Sequence, residues 1–204
     1  MRGNRMTEKE IWTTLKVLTW TKEFLAAKGI ENARLEAEWL LCAATGLDRV
    51  GLYLNFDKPL DDDELAGYRA MVSRRARREP LQHILGSQEF FGLDFEVTSD
   101  VLIPRPETEH VVEAVLELAK RQGYEEDARL RIVDVGTGSG CIALALASEF
   151  PRAILFGVDI SRTALVVASR NALRLRMPER VKFMESDLLA RFLDEDFLGT
   201  FDFV

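Results

Sequence analysis

The chain has 204 residues, 47% hydrophobic and 30% charged, with 27 Lys and Arg against 34 Asp and Glu, so its net charge is −7. That balance suits a soluble globular chain of one medium domain, or a small domain plus part of a second, and it argues against a bulk nucleic-acid binder, which needs clustered cations, while leaving room for a local basic patch. Cys42 and Cys141 are too few and too far apart for a disulfide framework, no apolar run reaches membrane-spanning length, and the start MRGNRMTEKE lacks a signal-peptide core; a cytoplasmic protein is expected.

Up to about residue 85 the pattern is helical. Thr7 to Glu10 fits a capping box, and Ile11, Leu15, Leu18 and Leu25 follow on one helical face, with Gly29 as the stop. Asn32 is the expected cap of a second helix carrying Leu35, Trp39 and Leu40 and ending near Gly46. Asp48 opens a short third turn through Val50 and Leu54. Asp61 to Glu64 is another capping box, and Leu65, Tyr68 and Val72 follow at helical spacing. The basic run Arg74, Arg75, Arg77 and Arg78 closes this helix. Positive charge there complements the helix dipole, and this reading is favoured over a docking patch for an acidic or RNA-bound partner. Trp12, Trp20 and Trp39 are expected to hold the helices together.

The period then changes. Phe91, Leu93, Phe95 and Val97 alternate with polar residues and glycine, the mark of a half-buried strand, with Val101 to Ile103 as its expected hairpin partner. Pro106 suits a first helical position and Glu107 and Glu109 a first turn, with Val111, Val112, Val115, Leu116 and Ala119 on the buried face. From Leu130 the order is strand, glycine-rich turn, helix, strand ending at Asp159, helix capped by Ser161, and strand ending at Asp187, with Phe201 to Val204 opening a fourth strand. Such alternation predicts an α/β fold with a mostly parallel sheet. The expected organisation is a helical domain over 1–85, a β-hairpin linker over 86–108 and a sheet domain over 109–204.

The turn DVGTGSG, Asp134 to Gly140, carries the main chemical signal. Glycines after a first strand allow a sharp bend and close approach of a ligand, and the following helix offers free N–H groups. The spacing G-x-G-x-G differs from the dinucleotide fingerprint G-x-G-x-x-G, and a nucleoside cofactor bearing a carboxylate would use the same crevice. Asp159 stands where a carboxylate accepts from both ribose hydroxyls, and Asp187 where one accepts from an adenine amino group. Each has a plain alternative as a cap or turn residue, although Ser161 is the better cap beside Asp159.

LRIVDVGTGSGCIALALA, GVDIS and the Asp187 segment resemble class I methyltransferases. REPLQHILG and FFGLDFEVTSDVLIPRPETE closely resemble the HemK/PrmC family, the release factor glutamine methyltransferases, and the likeness runs through nearly the whole chain. The resemblance implies a helical substrate-docking bundle followed by the first half of a Rossmann-like class I methyltransferase domain. The implied cofactor is S-adenosyl-L-methionine. Gly136, Thr137, Gly138, Ser139 and Gly140 would hold its methionine end, Asp159 its ribose, and Asp187 with Leu188 its adenine. Leu102 and Arg105 would approach from the hairpin side. Leu188 stands where the family commonly has an aromatic residue, so it can pack on adenine without stacking. For Arg105 an ion pair on the surface or between domains is an equal reading.

The implied reaction moves the sulfonium methyl to the amide nitrogen of the glutamine in the Gly-Gly-Gln loop of peptide chain release factors, by a monomer with no direct nucleic-acid or membrane partner. The family's catalytic Asn-Pro-Pro-Tyr follows the fourth strand and is expected beyond Val204, so no residue of this chain is a candidate catalytic acid or base. Alternatives are a ribosomal-protein glutamine methyltransferase, which typically shows Pro-Arg-Ser-Pro where this chain has Pro104-Arg105-Pro106-Glu107, a DNA adenine methyltransferase, or a fragment that only binds its partner. His83 and His110 lack partners at metal spacing, and Cys141 is read as a small packing residue.

Overall fold

The computed structural model describes residues 11–125, 128–194 and 197–204. They form two compact units, Met1–Leu85 and Gly86–Val204. The capping box at Thr7 to Glu10 lies outside the described residues.

The first unit holds α1 (Thr14–Ala27), α2 (Ala33–Thr45), α3 (Arg49–Leu54), α4 (Asp62–Ala76) and α5 (Leu81–Leu85). Helix α1 starts at Thr13, whose hydroxyl accepts from the Lys16 N–H. Ile11 precedes the helix and is exposed, and Leu15 is exposed as well, so they do not share the buried face with Leu25. The buried stripe is Thr14, Val17, Thr21 and Leu25, because α1 is wedged against both α2 and α4, and that contact chooses the face. In α2, Leu40 and Leu41 are buried while Leu35 and Trp39 are exposed. Asn32 makes no side-chain cap; Gly46 ends the helix in the left-handed region. Trp20 and Trp39 are exposed rather than central, and Tyr68, Leu52 and Ile84 fill the core.

Local caps appear where expected. Asp48 accepts from the Gly51 N–H at 2.7 Å, and Asp61 and Glu64 form a reciprocal capping box on α4. Three of the four arginines at the basic end of α4 are engaged within the unit, beyond the helix itself. Arg74 pairs with Glu79, Arg75 with Glu36, and Arg78 donates to the Lys28 and Gly29 carbonyls, closing the C-terminus of α1. Glu38 is a buried carboxylate that accepts from Arg34, Arg49 and Tyr53.

The second unit opens with a hairpin of β1 (Ser87–Phe90) and β2 (Leu93–Glu96). The expected pairing is therefore corrected: the partner of β2 is Ser87–Phe90, not Val101–Ile103. The two residues between them, Phe91 and Gly92, both have positive φ, the geometry whose twist matches a tight hairpin. The Phe91 N–H donates to the Glu109 carboxylate at 2.9 Å, which secures a conformation that a bulky residue rarely adopts. Helix α6 (Glu109–Arg121) then buries Val112 and Ala119, with Val111 exposed.

The sheet contains β3 (Arg131–Val135), β4 (Ile154–Asp159) and β5 (Val181–Glu185), all parallel in the order β3-β4-β5. Helix α7 (Cys141–Glu149) connects β3 to β4, and α8 (Arg162–Arg174) connects β4 to β5. On the free side of β3 lies the last segment: Ile132 bridges Phe203 in parallel, and the Val133 N–H donates to the Phe203 carbonyl at 3.1 Å. One sheet face packs on α6 and α7 through Ile132, Leu144 and Leu155. Another cluster joins Val133, Phe156 and Val158 to Phe192, with Phe197 and Phe201 packed against it. This is an α/β unit with the carboxyl ends of three adjacent parallel strands brought together on one edge.

Candidate functional site

The glycine turn joins β3 to α7 and is pinned to β4 from below. The Gly136 and Thr137 N–H groups both donate to the Val158 carbonyl, at 2.8 and 2.9 Å. The Gly138 N–H donates to Asp159 Oδ2 at 2.9 Å, while Asp159 Oδ1 accepts from the Ser161 N–H at 2.9 Å. Asp159 therefore holds the turn and the start of α8 with one carboxylate. Each of its oxygens keeps lone-pair capacity for a further donor.

The five turn residues divide by role. A Cβ on Gly136 would meet nothing within 4 Å, and one on Gly138 only the Gly136 carbonyl at 3.9 Å, so both α-carbons face open space. Gly140 faces the interior instead. A Cβ there would meet Phe183, Ala168 and Leu144 at 3.1–3.3 Å, so this glycine serves helix–strand packing rather than ligand contact. Thr137 is buried, and its hydroxyl donates to Asp134 Oδ2 at 2.7 Å. The Ser139 hydroxyl is buried and has only the Cys141 thiol, a weak partner, beside it. Burial lifts the Cys141 thiol to about 11, which makes it a packing residue.

Asp134 opens the DVGTGSG run and is a candidate site residue to which the sequence assigns no role of its own. Burial pushes its carboxyl above the ordinary range, against hydrogen bonds from Thr137 and the Ala143 N–H, and the nearby Asp159 pushes in the same direction as burial. Two carboxyl groups facing one turn, with an orphaned hydroxyl and two open α-carbons, fit a ligand that brings a cation and several hydroxyls.

Asp187 follows β5 and is exposed, just past the point where the Ser186 N–H ties back to the Asp159 carbonyl at 3.0 Å. Leu188 is 70% exposed with φ of +49°. An apolar side chain held outward by left-handed backbone is a strained feature of the kind that clusters at ligand sites. Leu102 is 76% exposed and Arg105 is exposed, and among the described residues the Arg105 guanidinium makes no ion pair. Their segment is seated on α8 through Val97 and Val101, which pack with Ala164 and Val167. It thus reaches the same end of the sheet as Asp159. A further residue not marked from the sequence is Asn171 on α8, whose side chain bonds both the hairpin and the turn.

Residues 16–86 match the family model described as the PrmC N-terminal domain, and residues 115–202 match the methyltransferase small domain. The release factor glutamine methyltransferase of Geobacter sulfurreducens is 55% identical over 193 residues, which is 94% of this chain and 65% of that protein. The protein of the same name from Chlorobaculum tepidum is 42% identical over 97% of this chain and 67% of its own length. The chain belongs to the release factor glutamine methyltransferase family. A third release factor glutamine methyltransferase, from Bacillus subtilis, is 42% identical over 89% of this chain and 61% of its own length. The chain thus spans 61–67% of the length of these three relatives. No helix among the described residues is long and apolar enough to cross a membrane.

Proposed function

We propose that the protein transfers a methyl group from S-adenosylmethionine to the side-chain amide nitrogen of the glutamine in the Gly-Gly-Gln loop of peptide chain release factors. The observation that carries this reading is the glycine turn, with Gly136 and Gly138 open between the carboxyl groups of Asp134 and Asp159, in a chain of this family.

Bound S-adenosylmethionine supplies an electrophilic methyl group on a sulfonium centre. The open α-carbons of Gly136 and Gly138 admit its amino-acid end against the backbone, and Ser139 offers the hydroxyl that has no full partner. Asp134 sets negative charge opposite its ammonium group. Asp159 accepts from the ribose hydroxyls through its spare lone pairs, and Asp187 accepts from the adenine amino group while Leu188 covers the ring. Leu102 and Arg105 cover the remaining side. Thr137 and Gly140 keep the turn in shape.

The acceptor amide is a weak nucleophile because its lone pair is delocalised, so orientation supplies much of the rate. We assign no catalytic acid or base among the described residues. The helical unit is assigned to partner docking. An apolar cleft in it, about 460 Å³, is lined by Trp12, Trp20 and Phe24 and edged by Lys28, Arg69 and Arg77. Cationic edges around aromatic walls suit an acidic protein surface. The protein is expected to work as a monomer.

Incubation of the protein extended past Val204, through the expected Asn-Pro-Pro-Tyr segment, with tritiated-methyl S-adenosylmethionine and purified release factor tests the assignment. Label on the Gly-Gly-Gln glutamine supports it. Label on a ribosomal protein instead, with none on release factor, replaces the substrate while leaving the cofactor site standing.

A further inference from the structure

Asn171 is 0% exposed, in the last turn of α8. Its Oδ1 accepts from the Glu96 N–H at 2.6 Å, and its Nδ2 donates to the Glu96 carbonyl at 3.0 Å and to the Ser139 carbonyl at 2.9 Å. The side chain therefore pairs with the last residue of β2 as a neighbouring strand would, and with its second amide hydrogen grips the glycine turn. Both amide hydrogens and the carbonyl are engaged, which is what a fully buried primary amide requires.

The two contacts belong to different parts of the unit. Glu96 ends the hairpin and leads directly into Val97 and Val101, which seat the segment bearing Leu102 and Arg105 on α8. Ser139 lies between Gly138 and Gly140, so fixing its carbonyl sets the peptide plane that precedes Gly140. The Gly140 N–H then reaches the Thr137 carbonyl at 2.8 Å. One amide thus stands between the turn and the chain that faces it.

We infer that Asn171 is a positioning residue that couples the hairpin to the glycine turn, so that occupancy of the turn is transmitted to residues 87–97. The inference rests on the reading of the turn as a nucleoside-cofactor site. A merely structural amide would lower stability when removed but would leave the hairpin indifferent to ligand.

Hydrogen exchange of the wild-type protein, with and without saturating S-adenosylhomocysteine, decides the matter without any variant. Peptides covering 134–142 and those covering 87–97 are both expected to exchange more slowly with ligand, the latter by about tenfold, the equivalent of one strengthened hydrogen bond. Protection of 134–142 with no change over 87–97 would overturn the coupling. In Asn171→Asp, which keeps the acceptor for Glu96 and loses both donors, calorimetric affinity for S-adenosylhomocysteine is expected to fall about tenfold and the hairpin protection to vanish. An unchanged affinity and hairpin response in that variant would also overturn it. Failure of the cofactor reading is separate and visible, as an absence of binding heat with the wild-type protein.

Discussion

Gly138 and Gly140 are two residues apart and both have positive φ, of +55° and +80°, yet their surroundings differ. Alanine at either position meets the left-handed penalty of about 1–2 kcal/mol. At Gly138 little is added, since the new methyl points into open space. At Gly140 the methyl lies 3.1 Å from Phe183 Cζ, 3.2 Å from Ala168 Cβ and 3.3 Å from Leu144 Cδ1. Ala168 Cβ on α8 has no rotamer into which to retreat, and the Phe183 and Leu144 tips, on β5 and α7, must each give by a few tenths of an ångström within the packed core. Overpacking of this kind adds about 1–3 kcal/mol, so Gly140→Ala is expected to lose about 2–5 kcal/mol in all and Gly138→Ala about 1–2. Urea unfolding followed by far-ultraviolet circular dichroism measures both, and titration with S-adenosylhomocysteine separates their roles. Gly138→Ala should stay folded and bind more weakly, because its methyl occupies ligand space. Equal stability losses in the two variants would refute the division of the turn into an open pair and a packed glycine.

Asp134→Asn keeps an oxygen for the Thr137 hydroxyl and removes a buried charge. The raised folded-state pKa of Asp134 means that its favourable contribution is present in acid and lost as pH rises through that value, so the variant should gain stability relative to wild type between acid and neutral pH while binding S-adenosylhomocysteine less well; parallel urea midpoints across pH would contradict this. Glu38 shows the opposite sign. Burial alone would raise its pKa, but hydrogen bonds from Tyr53, Arg49 and Arg34 outweigh burial and hold it below the ordinary 4.5. Its contribution is full above that ordinary value and fades as pH falls toward the depressed one, and Glu38→Gln should flatten that acid limb in thermal melts and cost about 1–3 kcal/mol at neutral pH. Arg105→Ala removes an exposed side chain with no ion pair among the described residues, so the unfolding midpoint should stay within about 0.5 kcal/mol while ligand affinity or methyl transfer drops; a large stability loss would point to a structural role instead.

What could be read from the residues, and what could not, follows the range of the forces involved. The caps at Asp48, at Asp61 with Glu64, and at Ser161 were legible because each is a hydrogen bond closed within three residues. The alternation of strands and helices after Leu130 was legible for the same reason, since periodicity is local. The buried face of α1 was not, because contact with both α2 and α4 selects Val17 and Thr21 over Leu15. The hairpin pairing was missed because its turn relies on Phe91 at positive φ, held by Glu109 eighteen positions away. Asp159 and the open glycines were marked by strand-end position and spacing. Gly157 was not, although it sits inside β4 where a Cβ would lie 2.6 Å from the Phe183 ring and 2.9 Å from Thr137 Oγ1. Asn171 reads as a polar interruption in an amphipathic helix, and only contacts 32 and 75 positions distant give it a purpose.

The placement of the indoles has a practical outcome. Trp12, Trp20 and Trp39 all fall in the helical unit, and the sheet unit has none. Light at the red edge of protein absorption therefore excites one half of the described molecule and leaves the other dark. Emission is a built-in gauge of the helical half during denaturation, and circular dichroism follows both. Should a nucleoside added at the glycine turn change that emission, the shift would report a signal crossing from the dark half to the bright one, with no dye attached.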